Sequence, residues 1–152
     1  MIIDALLQFS PTPQAITATA ASVDQIDLGP LGQGQTVRDI GVGCTQYLVV
    51  RTVAAFNTLT SLQFTLQTDD NAGFSSATTV WQSAAIPLAS LTANRVQAIV
   101  PIPLGVPIER FLRMNYTVAG TAPTTGSVEA FIVNDIQQYR AYADAQGIAA
   151  NA

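Results

Sequence analysis

The sequence predicts an all-β protein built as an antiparallel β-sandwich or barrel, and three observations support this. In residues 109–118, Leu112, Met114 and Tyr116 alternate with polar side chains, which is the two-residue period of a half-buried β-strand. Residues 61–68 repeat this alternation. Turn-forming segments recur about every 8 to 12 residues, as in β-sandwiches, so about nine or ten short strands are expected.

The first half of the chain contains candidate strands of unequal quality. Residues 2–9 are predicted to form the first strand, which the prolines at positions 11 and 13 end. Residues 16–21 predict a second, weaker strand. Residues 46–53 are apolar on both parities, which predicts a strand covered on both faces, either by a second sheet or by another subunit.

The second half contains more regular candidates. Besides the two alternating stretches, strands are expected at residues 78–82, 95–102 and 127–133. The turn-rich residues 119–126 separate the strand at 109–118 from the strand at 127–133. A hairpin with a long loop is therefore the simplest local structure for these two strands.

Length and cysteine content predict one domain that needs no covalent support. A chain of 152 residues can bury a core without a disulfide or a metal ion. The single cysteine, Cys44, has no partner for an internal bridge and is expected to be a small buried side chain. We expect a sandwich domain over residues 1–134 and a C-terminal extension over residues 135–152.

Two segments outside the strands are candidate contact regions. Residues 29–35 contain three glycines and a proline, so they form either a contact arm or a plain connection. In the C-terminal extension, Asn134 or Asp135 can cap a short helix. Its aromatic stripe is expected to dock on its own domain or on a neighbouring molecule, and the neighbouring molecule is the preferred interpretation. The stripe consists of Ile136, Tyr139, Arg140, Tyr142 and Ala143.

The charge content is low for a chain of this size. Only 11% of the residues are charged, against about 25% in typical soluble domains. Such a surface is easily buried against a partner, although an ordinary β-sandwich rich in threonine and glutamine has a similar composition. The net charge of −4 and the lack of a basic run argue against nucleic acid as a partner. No apolar stretch is long enough to span a membrane, and the first residues make a poor secretion signal.

Enzymatic chemistry is not expected. The chain contains no histidine, so neither a Ser-His-Asp triad nor a Cys-His pair can be built, and a zinc site is equally improbable. Most of the acidic residues fall at turns or strand ends, where aspartate is common for conformational reasons. No catalytic residue, metal ligand or cofactor site is therefore predicted.

Two binding alternatives remain open. Asp69, Asp70 and Asn71 offer oxygen ligands for Ca²⁺, but they lack the spacing of known calcium loops, which favours a simple turn. Trp81, Tyr47 and Tyr116 could form a platform for stacking sugars. For both tyrosines, packing in the core is the preferred interpretation.

Several segments together resemble the small capsid decoration, or cementing, proteins of tailed bacteriophages. The likeness runs in order from residue 1 to about residue 134 and lies in residues 1–5, 26–29, 38–43, 66–69 and 109–118. It implies a jelly-roll β-sandwich that binds the outside of the phage head, often as a dimer. Such a protein braces the contacts between major capsid protein subunits.

The leading hypothesis is therefore a virion structural protein, made in the host cytoplasm and located on the capsid exterior. Its expected partners are the major capsid protein of the same phage and further copies of itself, as a homodimer or other homo-oligomer, with neither nucleic acid nor membrane. The alternative is a carbohydrate-binding β-sandwich module. The candidate residues for contacts with the capsid or between subunits are Ile2, Leu31, Gln33, Tyr139, Arg140 and Tyr142.

Overall fold

Ten β-strands and two short 3₁₀ helices form the part of the chain that a computed structural model describes, which is residues 4–10, 12–36, 38, 40, 43–103, 105–134 and 136. The predicted antiparallel sandwich is confirmed, since every strand pair is antiparallel. The strands are β1 (Gln14–Ala15), β2 (Ala20–Ala21), β3 (Ile26–Asp27), β4 (Tyr47–Ala54), β5 (Leu59–Asp69), β6 (Thr78–Gln82), β7 (Ile86–Pro87), β8 (Arg95–Pro101), β9 (Phe111–Gly120) and β10 (Ser127–Val133).

The strand order is that of a jelly roll. A four-stranded sheet has the order β1-β10-β4-β8, and a six-stranded sheet has the order β2-β9-β5-β6, with β3 beside β9 and β7 beside β5. The principal pairs are nested along the chain: β1 with β10, β2 with β9, β4 with β8, and β5 with β6. A long antiparallel ribbon folded over on itself produces this nesting, which defines the jelly-roll class of sandwich.

The core lies between the inner faces of the two sheets. Leu112, Met114 and Tyr116 of β9 are fully buried there, which confirms the parity read from the sequence. The Tyr116 ring meets the Phe64 ring of β5 edge to face, with centroids 6.0 Å apart. Aromatic pairs in this geometry add stability beyond the area they bury, so β5 and β9 form the rigid centre of the six-stranded sheet.

The predicted hairpin between β9 and β10 is wrong. These strands belong to different sheets, because the loop over residues 121–126 crosses from one layer of the sandwich to the other. Alternation locates a strand, but it does not identify the sheet in which the strand pairs.

The predicted first strand over residues 2–9 is also wrong where the structure describes it. Ala5–Leu7 form a 3₁₀ helix instead, and the Asp4 carboxylate caps it by accepting a hydrogen bond from the Leu6 N–H at 2.9 Å. Gln8 alone makes a β-bridge, to Phe131. A local side-chain bond of this kind competes with sheet pairing, and aspartate is well suited to it.

Two smaller predictions also need correction. The strand expected at residues 16–21 is reduced to Ala20–Ala21, while Gln14–Ala15 pairs with β10. Cys44 is exposed rather than buried. The C-terminal extension, apart from Ile136, lies outside the described residues, so its predicted helix and the domain boundary at residue 134 stay predictions.

Both long edge strands are irregular. The pairing of β8 with β4 skips Gln97, and the pairing of β6 with β5 skips Val80, so each edge strand carries a β-bulge. Pro101, which has no N–H group, ends β8. Bulges and prolines make an edge a poor template for another chain, so the faces and loop ends are the better candidates for contacts.

Candidate interaction surfaces

The outer face of the six-stranded sheet is covered by neutral polar side chains, and we call it the polar face. In β9 it presents Asn115 and Thr117, which lie opposite Thr65 and Gln63 of β5. Arg113 of β9 also lies on this face, and its Nε donates a hydrogen bond to Gln67 Oε1 at 2.9 Å. This is the surface that a solvated antiparallel sheet normally presents to water.

The outer face of the four-stranded sheet is apolar instead. In its centre, Val49 of β4 lies between Phe131 of β10 and Ile99 of β8. Val49 is 0% exposed and Phe131 is 2% exposed, although both point away from the main core. This set, which we call the apolar face, consists of Tyr47, Val49, Ile99, Phe131, Val133 and Ile136.

The burial of Val49 confirms that β4 is covered on both faces, as its sequence predicted. On the inner side Leu48 and Val50 belong to the main core, so the second sheet covers that face. On the outer side, Ile136 packs against the apolar face three residues after β10 ends. The chain that follows the last strand therefore contributes to this second cluster.

An ion pair borders the apolar face. Arg51 of β4 and Glu129 of β10 are cross-strand partners, and the Arg51 Nη2 lies 2.6 Å from the Glu129 Oε2. Both side chains keep partial solvent contact. An exposed pair of this kind contributes little to stability but neutralises both charges beside the apolar residues.

The most exposed apolar side chains lie at one end of the six-stranded sheet. Among the described residues, Leu6 is 80% exposed and Val23 is 68% exposed, and both line a groove of about 690 Å³. The groove runs between the N-terminal 3₁₀ helix, the connection from β2 to β3, and the turn containing Phe74. The Arg113 guanidinium lies over the Phe74 ring, 4.2 Å from its centroid, and forms part of the wall.

A second concavity adjoins this groove. It has a volume of about 310 Å³ and is bordered by Leu31, which is 42% exposed. Arg110 lines the second concavity and Asp27 lines the first, and a bidentate ion pair joins them at 2.7 and 2.8 Å. The two concavities therefore lie on either side of one ion pair, and we call them together the β3 end.

The Asp27–Arg110 pair is electrostatically well matched. Hydrogen bonds from Arg110, and then from the Gly29 N–H, lower the pKa of Asp27 to about 2. The same contact with Asp27 raises the pKa of Arg110. Both groups are charged at neutral pH and neutralise each other, so the β3 end combines exposed apolar side chains with compensated charge.

The turn after β5 contributes residues to both concavities and is held by a buried carboxylate. Asp69 accepts hydrogen bonds from the Asn71 N–H at 2.9 Å and the Ser76 N–H at 2.8 Å. These bonds lower the pKa of Asp69, and the bond from the Asn71 N–H contributes most. The oxygen atoms considered for Ca²⁺ thus shape the turn, and the described residues contain no cluster of three or more acidic, cysteine or histidine side chains able to hold a metal ion.

The aromatic residues considered for sugar stacking do not form a platform. Tyr116 is fully buried in the main core, which confirms its predicted role. Trp81 packs against the same core, whereas Tyr47 packs on the apolar face outside the other sheet. The structure therefore separates the three rings into different environments.

The predicted contact residues are only partly described. Leu31 and Gln33 are exposed in the loop at the β3 end. The remaining candidates, Ile2, Tyr139, Arg140 and Tyr142, lie outside the described residues. Sequence reasoning missed Leu6 and Val23, because an apolar residue in a candidate strand or a short connection gives no sign that it faces solvent.

Fold and surfaces define a jelly-roll β-sandwich protein that exposes apolar side chains at one end of a weakly charged surface. The sequence model of the family described as Bbp16 matches residues 9–132, so the chain belongs to the Bbp16 family. The family name is of the bacteriophage type, which supports the expected phage origin at this coarser level. No curated protein matches the chain. The described residues include no helix long and apolar enough to cross a membrane.

Proposed function

We propose that this protein is a bacteriophage decoration protein, a structural component that binds the outer surface of the capsid. It stabilises the contacts between major capsid protein subunits and has no enzymatic role. The observation that carries the proposal is the β3 end, where Leu6, Val23 and Leu31 stand exposed around two adjacent concavities. Membership of a family with a phage-type name is the second support.

The chemistry of the β3 end suits a protein partner. Burying a leucine or valine side chain contributes about 1.5–3 kcal/mol, so three such anchors can supply much of a moderate affinity. The ion pair between Asp27 and Arg110 compensates its own charge, which lowers the cost of covering it. Projecting apolar anchors beside compensated charges are typical of the central part of a protein interface.

The bulged edges support attachment through an end of the sandwich rather than through an added strand. With Gln97 and Val80 bulged, neither β8 nor β6 offers a regular edge for sheet extension. The proposed partners are the major capsid protein and further copies of this chain, as a homodimer or other homo-oligomer. Two or more linked copies would bind a repetitive shell with an avidity above that of one site.

The proposal is tested with purified phage heads that lack the protein. We expect the wild-type chain to co-sediment with the heads and to raise their melting temperature, because a ligand that binds only the assembled state stabilises it. Leu31→Asp and Val23→Asp should each weaken binding by about 10- to 100-fold, the effect of losing one buried anchor. Fluorescence anisotropy of the labelled protein against heads provides the affinity.

The matched control is Thr121→Asp, which introduces the same charge into an exposed loop at the opposite end of the six-stranded sheet. It should bind heads like the wild type. Wild-type protein that never binds heads would refute the decoration role. Normal binding by both variants at the β3 end would instead refute this choice of contact surface.

A further inference from the structure

The proposed capsid binding does not explain why the outward-facing side chains of the apolar face are buried. Outer faces of antiparallel sandwiches are usually polar, as the other sheet of this protein shows. Here Val49, Phe131 and Val133 point outward and are nevertheless no more than 4% exposed. An apolar face of this kind is stable only when a further layer covers it.

The path of the chain after β10 indicates the direction from which this layer comes. A strand that continued straight would carry residue 136 about 10 Å beyond Val133. Ile136 instead is 7% exposed and packs in the same cluster as Val49 and Phe131. By residue 136 the chain has therefore turned back over the outer side of its own sheet.

The sequence that follows has suitable length and chemistry to continue. Residues 137–152 comprise 16 residues, and the side chains charged at neutral pH, Arg140 and Asp144, balance each other. In helical form such a segment is about 24 Å long, and three adjacent strands are only about 10 Å across. Positions 136, 139, 140 and 143 share one face at helical spacing, which places Tyr139 beside Ile136.

We infer that residues 137–152 dock on the apolar face of the same molecule, with Ile136 as the first anchor and Tyr139 as the next. Docking within one molecule is favoured over docking on a second copy because Ile136 already lies in its own cluster. The segment therefore starts at the site, and its effective concentration there is high. The inference is independent of the proposed capsid binding.

Trypsin cleavage of the full-length chain at Arg140 tests this inference. Arg140 is the last of the six arginines, and the chain has no lysine, so cleavage there releases residues 141–152 and is identified by mass. We expect cleavage at Arg140 to be at least about tenfold slower in the protein than in a synthetic peptide of residues 134–146, because a docked segment must detach before it is cut. This protection should not depend on protein concentration.

Two variants locate the docking site. Ile99→Thr keeps a β-branched side chain in β8 but puts a hydroxyl on the apolar face, and it should accelerate cleavage at Arg140 severalfold. Tyr139→Ser should do the same relative to a peptide with the same change, and it leaves the sandwich itself unaltered. Thr117→Ser, on the polar face, is the control and should cleave like the wild type.

Each remaining outcome overturns the inference. Cleavage at Arg140 as fast as in the peptide means that the segment is not docked. Protection that increases with protein concentration means that it docks on a second copy. Unchanged cleavage in both Ile99→Thr and Tyr139→Ser, with the sites at Arg51 and Arg95 still resistant, places the segment on another surface.

Discussion

The outer face of the four-stranded sheet is apolar and covered, whereas the outer face of the six-stranded sheet is polar and solvated. On the apolar face, Val49 lies between Phe131 and Ile99 and is fully buried. On the polar face, the corresponding central positions are occupied by residues such as Asn115 and Thr117. One jelly roll therefore combines an ordinary solvated sheet with a sheet that needs a third layer.

This difference shows what strict alternation in a strand signifies. Strands β5 and β9 alternate apolar and polar residues because only one side of each faces the apolar core. Strand β4 has consecutive buried apolar residues at Leu48, Val49 and Val50 because both of its sides pack against apolar side chains. A strand with apolar residues on both parities thus indicates a second covered face. The contrast between the two outer faces leads to three predictions.

The largest loss of stability is expected when a buried side chain on the apolar face is shortened. Phe131→Ala should destabilise the protein by about 3–5 kcal/mol, the usual cost of removing a buried aromatic ring. Thr117→Ala, at an exposed position of the polar face, should change stability by less than about 0.5 kcal/mol. Urea unfolding followed by circular dichroism measures both values. Equal effects at the two sites would show that the apolar face is not part of the folded core.

A smaller loss of stability is expected when the arginine associated with each outer face is replaced. Arg51 pairs with Glu129, whereas Arg113 bonds to the neutral Gln67 and lies over the Phe74 ring. Arg51→Gln and Arg113→Gln should each cost about 0.5–1 kcal/mol in low salt. The cost of Arg51→Gln should shrink in about 1 M NaCl, where exposed ion pairs are screened, and that of Arg113→Gln should change little. The same salt dependence for both would remove this electrostatic distinction between the faces.

Much of the sandwich could be predicted from the sequence, but its topology could not. The strict period in β5 and β9 identified both strands and their buried sides. The assignment of β9 and β10 to one hairpin failed because pairing partners are chosen by packing over the whole domain, which local alternation does not encode. The prediction of a first strand was wrong because the short apolar run forms a 3₁₀ helix, which Asp4 caps by accepting a hydrogen bond.

The candidate surfaces were predictable to different degrees. The glycine-rich composition of residues 29–35 correctly indicated an exposed loop, and Leu31 and Gln33 lie in it. The second covered face was visible in β4, and also at the end of β10, where apolar residues occupy both parities. Leu6 and Val23 could not be found, because exposure of a single apolar residue depends on neighbours that are distant in sequence.

The smallest change in stability is expected from removing a charge at the β3 end, where the Asp27–Arg110 ion pair lies. The pKa of Asp27 is lowered to about 2 in the folded protein, from an ordinary value of 3.8. A depressed carboxylate pKa stabilises the fold fully above the ordinary value and loses this contribution as the pH falls through the folded value. Asp27→Asn should therefore be slightly less stable than the wild type at pH 7, and this difference should disappear between about pH 4 and pH 2.

The pKa of Asp69 is also lowered in the folded protein. The pH dependence of the wild-type stability therefore contains contributions from both carboxylates and does not report on Asp27 alone. The informative quantity is the difference between the wild type and Asp27→Asn in urea unfolding at pH 7, 4 and 2.5. Asp24→Asn is the matched control, because it removes a carboxylate from the same groove and leaves the ion pair with Arg110 intact. If the stability of Asp27→Asn depends on pH as the wild type's does, the Asp27–Arg110 pair does not stabilise the folded β3 end. Its role would then be confined to compensating charge at a contact surface.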